Sequence, residues 1–229
     1  SGLGENKMTP NKINWNNIDT VLLDMDGTLL DLHFDNYFWL EYLPQRYAQT
    51  HGVDETEAKE KLHSYIKAHE GTLAWYCIDF WSDKLDLDIR SLKQEIQHKI
   101  QIRPFVMEFL RALKQCNKKL VLITNAHPRT LDIKLEATKI DECLDLIISS
   151  HQFQQPKEAQ EFWHALQDYE SFDPARTLFI DDTVRILDSA KEYGIKYLLC
   201  VHQPDSQMTR RITAYPAIHH FDEIIPSVS

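Results

Sequence analysis

The 229-residue sequence has no apolar run that approaches the roughly 20 consecutive residues a membrane-spanning helix needs. It also has no internal repeat and no low-complexity segment. Hydrophobic residues make up 43% of the sequence and charged residues 26%, which is an ordinary globular composition. The sequence therefore predicts a water-soluble protein without a membrane partner, with room for one α/β domain or for a core domain carrying a smaller insertion.

Cysteines are few, and their spacing excludes the common metal-binding and redox motifs. The four are scattered along the chain without a CxxC pair: Cys77, Cys116, Cys143 and Cys200. We expect them to be reduced thiols in a cytoplasmic protein. The segment Ser1 to Lys7, ahead of Met8, lacks the basic and apolar regions of a signal peptide, and we interpret it as residues left by cloning.

Basic residues are also fewer than acidic ones. The sequence has 25 Lys and Arg residues and 35 Asp and Glu residues, which gives a formal net charge of -10. A strongly acidic chain repels polyanions, which argues against nucleic acid as a partner. A small anionic substrate would need locally placed cations or a metal ion.

Five short apolar runs read as buried strands. They are Thr20 to Leu23, Lys119 to Ile123, Leu144 to Ile148, Thr177 to Ile180 and Lys196 to Val201. Segments with helical spacing of apolar residues separate most of them, and this alternation predicts an α/β fold with a doubly wound parallel sheet.

The alternation breaks between the first and second strands. Residues 36–102 contain helix-like stretches, such as Glu55 to Ala68 and Asp88 to Ile100, and aromatic clusters, but no convincing buried strand. The step Arg103-Pro104 marks the return to the core, because the residue before a proline is disfavoured in a helix. We therefore predict a helical insertion at 36–102 in a core made of residues 1–35 and 103–229.

Polar side chains follow four of the predicted strands, where ligands of doubly wound sheets bind. They are Asp24, Asp26, Gly27 and Thr28, then Thr124 and Asn125, then Lys157, and finally Asp181 and Asp182. So many carboxylates at one edge would repel one another unless a divalent cation lay among them, and all-oxygen ligands suit Mg²⁺. One carboxylate could then attack the phosphorus of a phosphate monoester while a second protonates the departing oxygen.

These residues, in this order, resemble the four motifs of haloacid dehalogenase-like phosphatases. The first motif is carried by Asp24-Met25-Asp26-Gly27-Thr28-Leu29, and the others by Thr124-Asn125, Lys157 and Asp181-Asp182. The resemblance spans the chain from about Trp15 and implies a Rossmann-like core with residues 36–102 as a cap domain. Two positions depart from the pattern: Glu158 stands where many relatives have proline, and Asp181 where many have glycine.

The resemblance also implies a role for each motif residue. Asp24 would be the nucleophile and a metal ligand, and Asp26 the general acid and base, which gives the metal its backbone carbonyl. Thr124 and the Asn125 amide would hold phosphate, and Lys157 would neutralise the phospho-enzyme. Asp182, with Asp181, would complete the Mg²⁺ site.

A closer resemblance, to bacterial purine nucleotidases that dephosphorylate GMP and IMP, covers core and cap. It lies in the segments Asp24 to Leu32, Phe34 to Trp39, Trp75 to Trp81, Thr124 to Pro128 and Lys134 to Glu136. It implies a purine nucleoside 5'-monophosphate as substrate. A sugar-phosphate or phosphoglycolate phosphatase would use the same core residues, so that alternative stays open.

Two further classes agree less well with the sequence. Haloacid dehalogenases use the same nucleophile without a metal and generally lack the second aspartate, so Asp26 and the acidic pair argue against them. An inactive binding module is disfavoured because all motif residues are present.

Residues outside the motifs have ordinary structural explanations. Seven cap aromatics favour helix packing individually, although some could stack on a base: Tyr37, Phe38, Trp39, Trp75, Tyr76, Phe80 and Trp81. We expect His127, Arg129 and Lys134 to form a solvated helix start, although they follow Thr124 closely and could also contact a phosphate or a base. We assign no function to His219 and His220.

Overall fold

The computed structural model describes residues 13–227, so the interpretation of Ser1 to Lys7 lies outside the described residues. Within 13–227, no helix is both long and apolar enough to cross a membrane.

A six-stranded sheet with every pairing parallel forms the centre of the molecule. Its strands are β1 (Thr20–Leu23), β2 (Lys119–Thr124), β3 (Leu146–Ser149), β4 (Thr177–Ile180), β5 (Tyr197–Val201) and β6 (Ala217–Ile218). They lie in the order β3-β2-β1-β4-β5-β6, which places β1 between β2 and β4. The predicted α/β fold with a parallel, doubly wound sheet is confirmed.

Each face of the sheet has its own apolar cluster, and this explains why β1 is buried along its whole length. Because side chains alternate along a strand, Val21 and Leu23 join one cluster while Leu22 joins the other. The first cluster includes residues of α7 (Val106–Gln115) and α8 (Pro128–Thr138). The second includes residues of α9 (Gln160–Tyr169) and α10 (Val184–Tyr193).

Six helices lie between β1 and α7. They are α1 (His33–Tyr37), α2 (Leu43–His51), α3 (Glu55–His69), α4 (Leu73–Tyr76), α5 (Ile78–Leu85) and α6 (Ile89–Glu95). A π-helical turn, Phe38–Tyr42, joins α1 to α2. A third apolar cluster, with Phe38, Leu62 and Trp81 among its members, lies within this helical segment.

Arg103, where the chain re-enters the core, is buried and joins three separate loops. Its guanidinium donates to the carbonyl oxygens of Thr28 at 3.0 Å, Gln203 at 3.2 Å and His219 at 3.0 Å. Burial lowers its pKa from the usual arginine value. The segment after these helices is thereby tied to the loop that follows β1.

Candidate active site

Asp24 follows β1 directly and lies in a cavity of about 610 Å³ between the sheet and the helical segment. The core contributes motif residues to the wall: Asp24, Asp26, Thr124, Asn125, Lys157, Asp181 and Asp182. All seven of the residues predicted for the site therefore line one cavity.

Lys157 is the fixed positive charge beside Asp24, and its side chain is only 1% exposed. Its Nζ donates to Asp24 Oδ1 at 2.8 Å, to Asp181 Oδ2 at 2.8 Å and to the Ile123 carbonyl oxygen at 3.1 Å. Burial lowers the pKa of Lys157, but the Asp181 and Asp24 carboxylates raise it by more, so the amine is protonated. These three acceptors use all three ammonium donors.

Three buried carboxylates, Asp24, Asp181 and Asp182, bring oxygen atoms within 4.8 Å of one another. Burial and the charge of Asp24 raise the pKa of Asp181 to about 7. Burial, followed by repulsion from Asp24 and Asp181, also raises the pKa of Asp182 well above its ordinary value. One lysine cannot balance three carboxylates, and an all-oxygen donor set in need of positive charge fits Mg²⁺.

The backbone beside this cluster depends on Gly27. Its φ of +83° is a left-handed conformation that side chains disfavour, and an added Cβ would lie 2.4 Å from Asp182 Oδ2. Gly27 therefore lets the loop after β1 approach the carboxylate of Asp182.

Asp26 is paired with a residue that the sequence interpretation misplaced. Lys134 Nζ donates to Asp26 Oδ1 at 2.5 Å and to Asp35 Oδ1 at 2.6 Å, with its side chain only 2% exposed. Burial and repulsion from Asp35 raise the pKa of Asp26 to about 6, although Lys134 opposes the shift.

The expectation of a solvated Lys134 is therefore wrong, because this position of α8 faces the protein interior. Arg129 is exposed and pairs with Asp79, and the partly buried His127 lies 3.3 Å from the same carboxylate. Both residues thus meet α5 of the helical segment, and burial lowers the pKa of His127.

The loop after β2 presents Thr124 and Asn125. Thr124 Oγ1 accepts a hydrogen bond from the Ala126 backbone at 3.0 Å, which leaves its hydroxyl proton available. The Asn125 side chain donates to Glu158 at 2.8 Å and accepts from the Lys157 backbone at 2.9 Å. Among the hydrogen bonds of residues 13–227, none uses the Asn125 backbone N–H, so this group is available to a ligand.

The seven aromatic residues singled out in the segment 36–102 divide by position. Trp39, Trp75 and Tyr76 line the cavity and are partly exposed. Phe38 and Trp81 are fully buried members of the third cluster, although Trp81 also borders the cavity. Tyr37 and Phe80 pack against that cluster and are not among the lining residues.

Lys93, on α6, is a second buried lysine of the cavity wall. Its Nζ lies 5.2 Å from the ring centroid of Phe38 and 5.3 Å from that of Trp39. No hydrogen bond or ion pair joins it to another residue in the described part of the chain. Burial lowers its pKa to about 8.

The sequence interpretation thus missed the pairing of Lys134 with Asp26 and Asp35, and it did not single out Asp35 or Lys93 as residues of the site. The spacing of Lys134 contains a usable signal, because it falls three residues after the buried Leu131, on the inward stripe of α8. A lysine in that register needs a buried partner.

Comparison with known proteins gives concordant matches. Residues 21–200 match the family described as haloacid dehalogenase-like hydrolase. The chain is 44% identical over 217 residues to the GMP/IMP nucleotidase YrfG of Escherichia coli (strain K12), a match that covers 94% of this chain and 98% of that protein.

Two solved structures show the same fold. A HAD phosphatase from Thermococcus onnurineus superposes with a TM-score of 0.76 at 21% identity, covering 90% of this chain and 96% of that one. CbbY from Rhodobacter sphaeroides, solved in complex with phosphate, gives a TM-score of 0.63 at 14% identity, with 90% and 96% covered.

Proposed function

The chain belongs to the haloacid dehalogenase-like hydrolases, and from that premise we propose that it is a Mg²⁺-dependent phosphatase of purine nucleoside 5'-monophosphates that works through a phospho-aspartate on Asp24. The observation that carries the proposal is the convergence of Asp24, Lys157 and the two carboxylates Asp181 and Asp182 in the cavity.

Asp24 is oriented for attack on phosphorus by a separate donor at each oxygen. Lys157 holds Oδ1, and the Thr28 hydroxyl donates to Oδ2 at 3.0 Å. A carboxylate fixed in this way does not need to reorganise before it forms the bond to phosphorus. After the leaving group departs, Lys157 remains beside the phospho-enzyme as a counter-charge.

Asp26 acts as a general acid toward the leaving group and then as a general base toward the attacking water. With a pKa of about 6, it can donate a proton to the departing oxygen near neutral pH and later accept one from the attacking water. The Thr124 hydroxyl and the Asn125 backbone N–H have hydrogen atoms available for phosphate oxygens.

Asp24, Asp181, Asp182 and the Asp26 carbonyl oxygen would hold Mg²⁺. When bound, the ion supplies positive charge that offsets the carboxylates and the phosphate dianion. Asp181 also keeps Lys157 in place, because its Oδ2 accepts from Nζ while its Oδ1 accepts from the Thr183 backbone at 2.9 Å.

The size and lining of the cavity support a nucleotide. Its volume of about 610 Å³ exceeds what phosphate alone requires, and Trp39, Trp75 and Tyr76 offer flat surfaces to a base. The 44% identity to a GMP/IMP nucleotidase, across both core and helical segment, supports GMP and IMP as substrates.

We further propose that residues 36–102 form a cap domain over a core of residues 1–35 and 103–229. The third apolar cluster supports this division, since it is separate from the two clusters on the sheet. Four free cysteines support the cytoplasmic location that their spacing predicts.

A phosphate-release screen tests the function. The substrates are GMP, IMP, AMP, glucose 6-phosphate, phosphoglycolate and p-nitrophenyl phosphate, each with Mg²⁺ present and after exhaustive treatment with EDTA. We expect the highest kcat/KM with GMP and IMP, loss of activity on chelation, and recovery when Mg²⁺ is restored. Faster hydrolysis of a sugar phosphate would refute the nucleotide assignment alone, whereas activity that survives chelation would refute the metal site.

A further inference from the structure

Lys134 combines an interior position with a full set of polar contacts. The remainder of the inward face of α8 is formed by residues such as Leu131 and Ile133, and the Lys134 ammonium lies 5.2 Å from the ring centroid of Phe34. An apolar side chain would suit this packing. Instead the position carries a charge whose two partners are the carboxylates of Asp26 and Asp35.

A buried ion pair is weak evidence of a contribution to stability, because removing two charges from water costs about as much as their attraction returns. Its effect on geometry is more certain. Lys134 binds one oxygen of Asp26, and in the described residues the other oxygen, Oδ2, has no hydrogen-bond partner while Asp26 lines the cavity. The carboxyl group is thus anchored on one side and available on the other.

The anchor is itself held from a second element. Asp35 belongs to α1, the helix through which the chain enters the helical segment, and it accepts from Lys134 at 2.6 Å. The side chain of Lys134 extends from α8 to α1. Its ammonium is therefore restrained between two carboxylates, one in the loop after β1 and one on α1.

We infer that Lys134 is a positioning residue that, with Asp35, fixes the Asp26 carboxyl group so that its unpaired oxygen faces the leaving-group oxygen of the substrate. The inference rests on the proposed function, in which Asp26 protonates that oxygen. Without Lys134, the Asp26 side chain could rotate away from the leaving group, and a misplacement of about 1 Å costs roughly 100-fold in rate.

The test compares a poor and a good leaving group. Lys134→Met should lower kcat/KM for GMP about 100-fold, since the nucleoside alkoxide must be protonated as it departs. It should lower kcat/KM for p-nitrophenyl phosphate less than about threefold, because kcat/KM reports the steps up to departure of the leaving group and p-nitrophenolate departs without full protonation. Lys114→Met is the matched control: it removes an exposed lysine that pairs with Asp145, and both rates should stay unchanged.

Combining the substitution with Asp26→Asn separates positioning from general disruption. In the Asp26→Asn background, Lys134→Met should cause no further loss with GMP, because no acid remains to be positioned. Equal losses on the two substrates, or a full additional loss in that background, would overturn the inference.

A failure of the proposed function would look different. If Asp26→Asn alone slowed both substrates equally, the acid role of Asp26 would fall, and the inference with it. If Lys134→Met does not fold, Asp35→Asn decides the matter, since it removes only the second anchor. That variant should lower the GMP rate about 3- to 10-fold more than the p-nitrophenyl phosphate rate, and an equal effect on both would refute the positioning role.

Discussion

The Asp24 carboxylate pairs with one buried lysine, Lys157, and lies beside two further carboxylates, Asp181 and Asp182. Replacing it with asparagine removes a charge from the crowded cluster of Asp24, Asp181 and Asp182, although it also removes a partner of Lys157. These electrostatic changes oppose each other, and the side-chain volume stays the same. The chemistry and the stability of this position can therefore be separated.

We predict that Asp24→Asn reduces kcat to below about 1% of wild type while the protein stays folded, because an amide is a far poorer nucleophile. Turnover of GMP and p-nitrophenyl phosphate measures the first effect, and circular dichroism with thermal unfolding measures the second. Asp19→Asn, which removes an exposed carboxylate paired with Arg176, should leave turnover unchanged. Retention of substantial turnover by Asp24→Asn would exclude the nucleophile role.

The contribution of Lys93 to the stability of the fold should depend on pH. Burial lowers its pKa from 10.5 to about 8, so between these values the unfolded state binds more protons than the folded state. Stability attributable to this residue therefore rises as pH increases from about 8 to 10.5, and at pH 7 the buried charge costs the fold up to about 3 kcal/mol.

Lys93→Met should accordingly raise the free energy of unfolding at pH 7 by about 1–3 kcal/mol, and the gain should shrink as pH approaches 10. Urea unfolding at a series of pH values measures both effects. Lys84→Met, at an exposed position of α5, serves as the control and should show neither. A variant less stable than wild type at pH 7 would mean that nearby carboxylates, such as Asp35, compensate the charge.

At the level of secondary structure, the sequence predicted the strands that are continuous apolar runs. The first and fourth predicted strands agree with β1 and β4 residue by residue, because polar residues bound each run. The third predicted strand begins two residues before β3, since Asp145 uses its side chain to accept from the Leu120 backbone. Strand β6 was not predicted, because two residues, Ala217 and Ile218, show no periodicity.

Side-chain partners across elements were less predictable. The motif residues were found because each follows a strand, and the topology alone brings strand ends together. Lys134, Asp35 and Lys93 lie on helices, where the choice between solvent and interior depends on how each helix packs. The sequence of one helix does not show whether a charged residue on it faces solvent or the protein interior.

Aromatic residues of the helices between β1 and α7 give the test of substrate selection. Trp39→Ala and Trp75→Ala should each raise KM for GMP and IMP about 5- to 150-fold, the equivalent of 1–3 kcal/mol of stacking, with little change for p-nitrophenyl phosphate. Phe80→Ala is the matched control, because Phe80 packs on the third cluster without lining the cavity. Phe80→Ala should lower the melting temperature, and it should leave the ratio of the KM for GMP to the KM for p-nitrophenyl phosphate unchanged.

The opposite pattern would contradict base stacking. If the tryptophan variants lost activity on both substrates equally and melted at lower temperature, these side chains would be packing residues of the helical segment.

At the scale of the whole molecule, Arg103 joins the loop after β1, 75 residues before it, to two segments that lie 100 and 116 residues after it. Arg103→Met would leave three carbonyl oxygens without their donor and should lower the free energy of unfolding by about 2–5 kcal/mol. Urea denaturation measures the loss. Arg176→Met, at an exposed ion pair, should cost less than about 1 kcal/mol. Similar losses for the two variants would show that the buried links contribute little.

The central place of β1 in the sheet has a consequence for the order of events on the ribosome. This strand is synthesised first, but its neighbours β2 and β4 end only at Thr124 and Ile180. At roughly 5–20 residues per second, the strand that carries the nucleophile waits on the order of ten seconds for its second partner. During that interval the emerging polypeptide exposes an apolar edge open to chaperones or to aggregation, while the helices of residues 36–102, close together along the chain, can already collapse around their own apolar cluster.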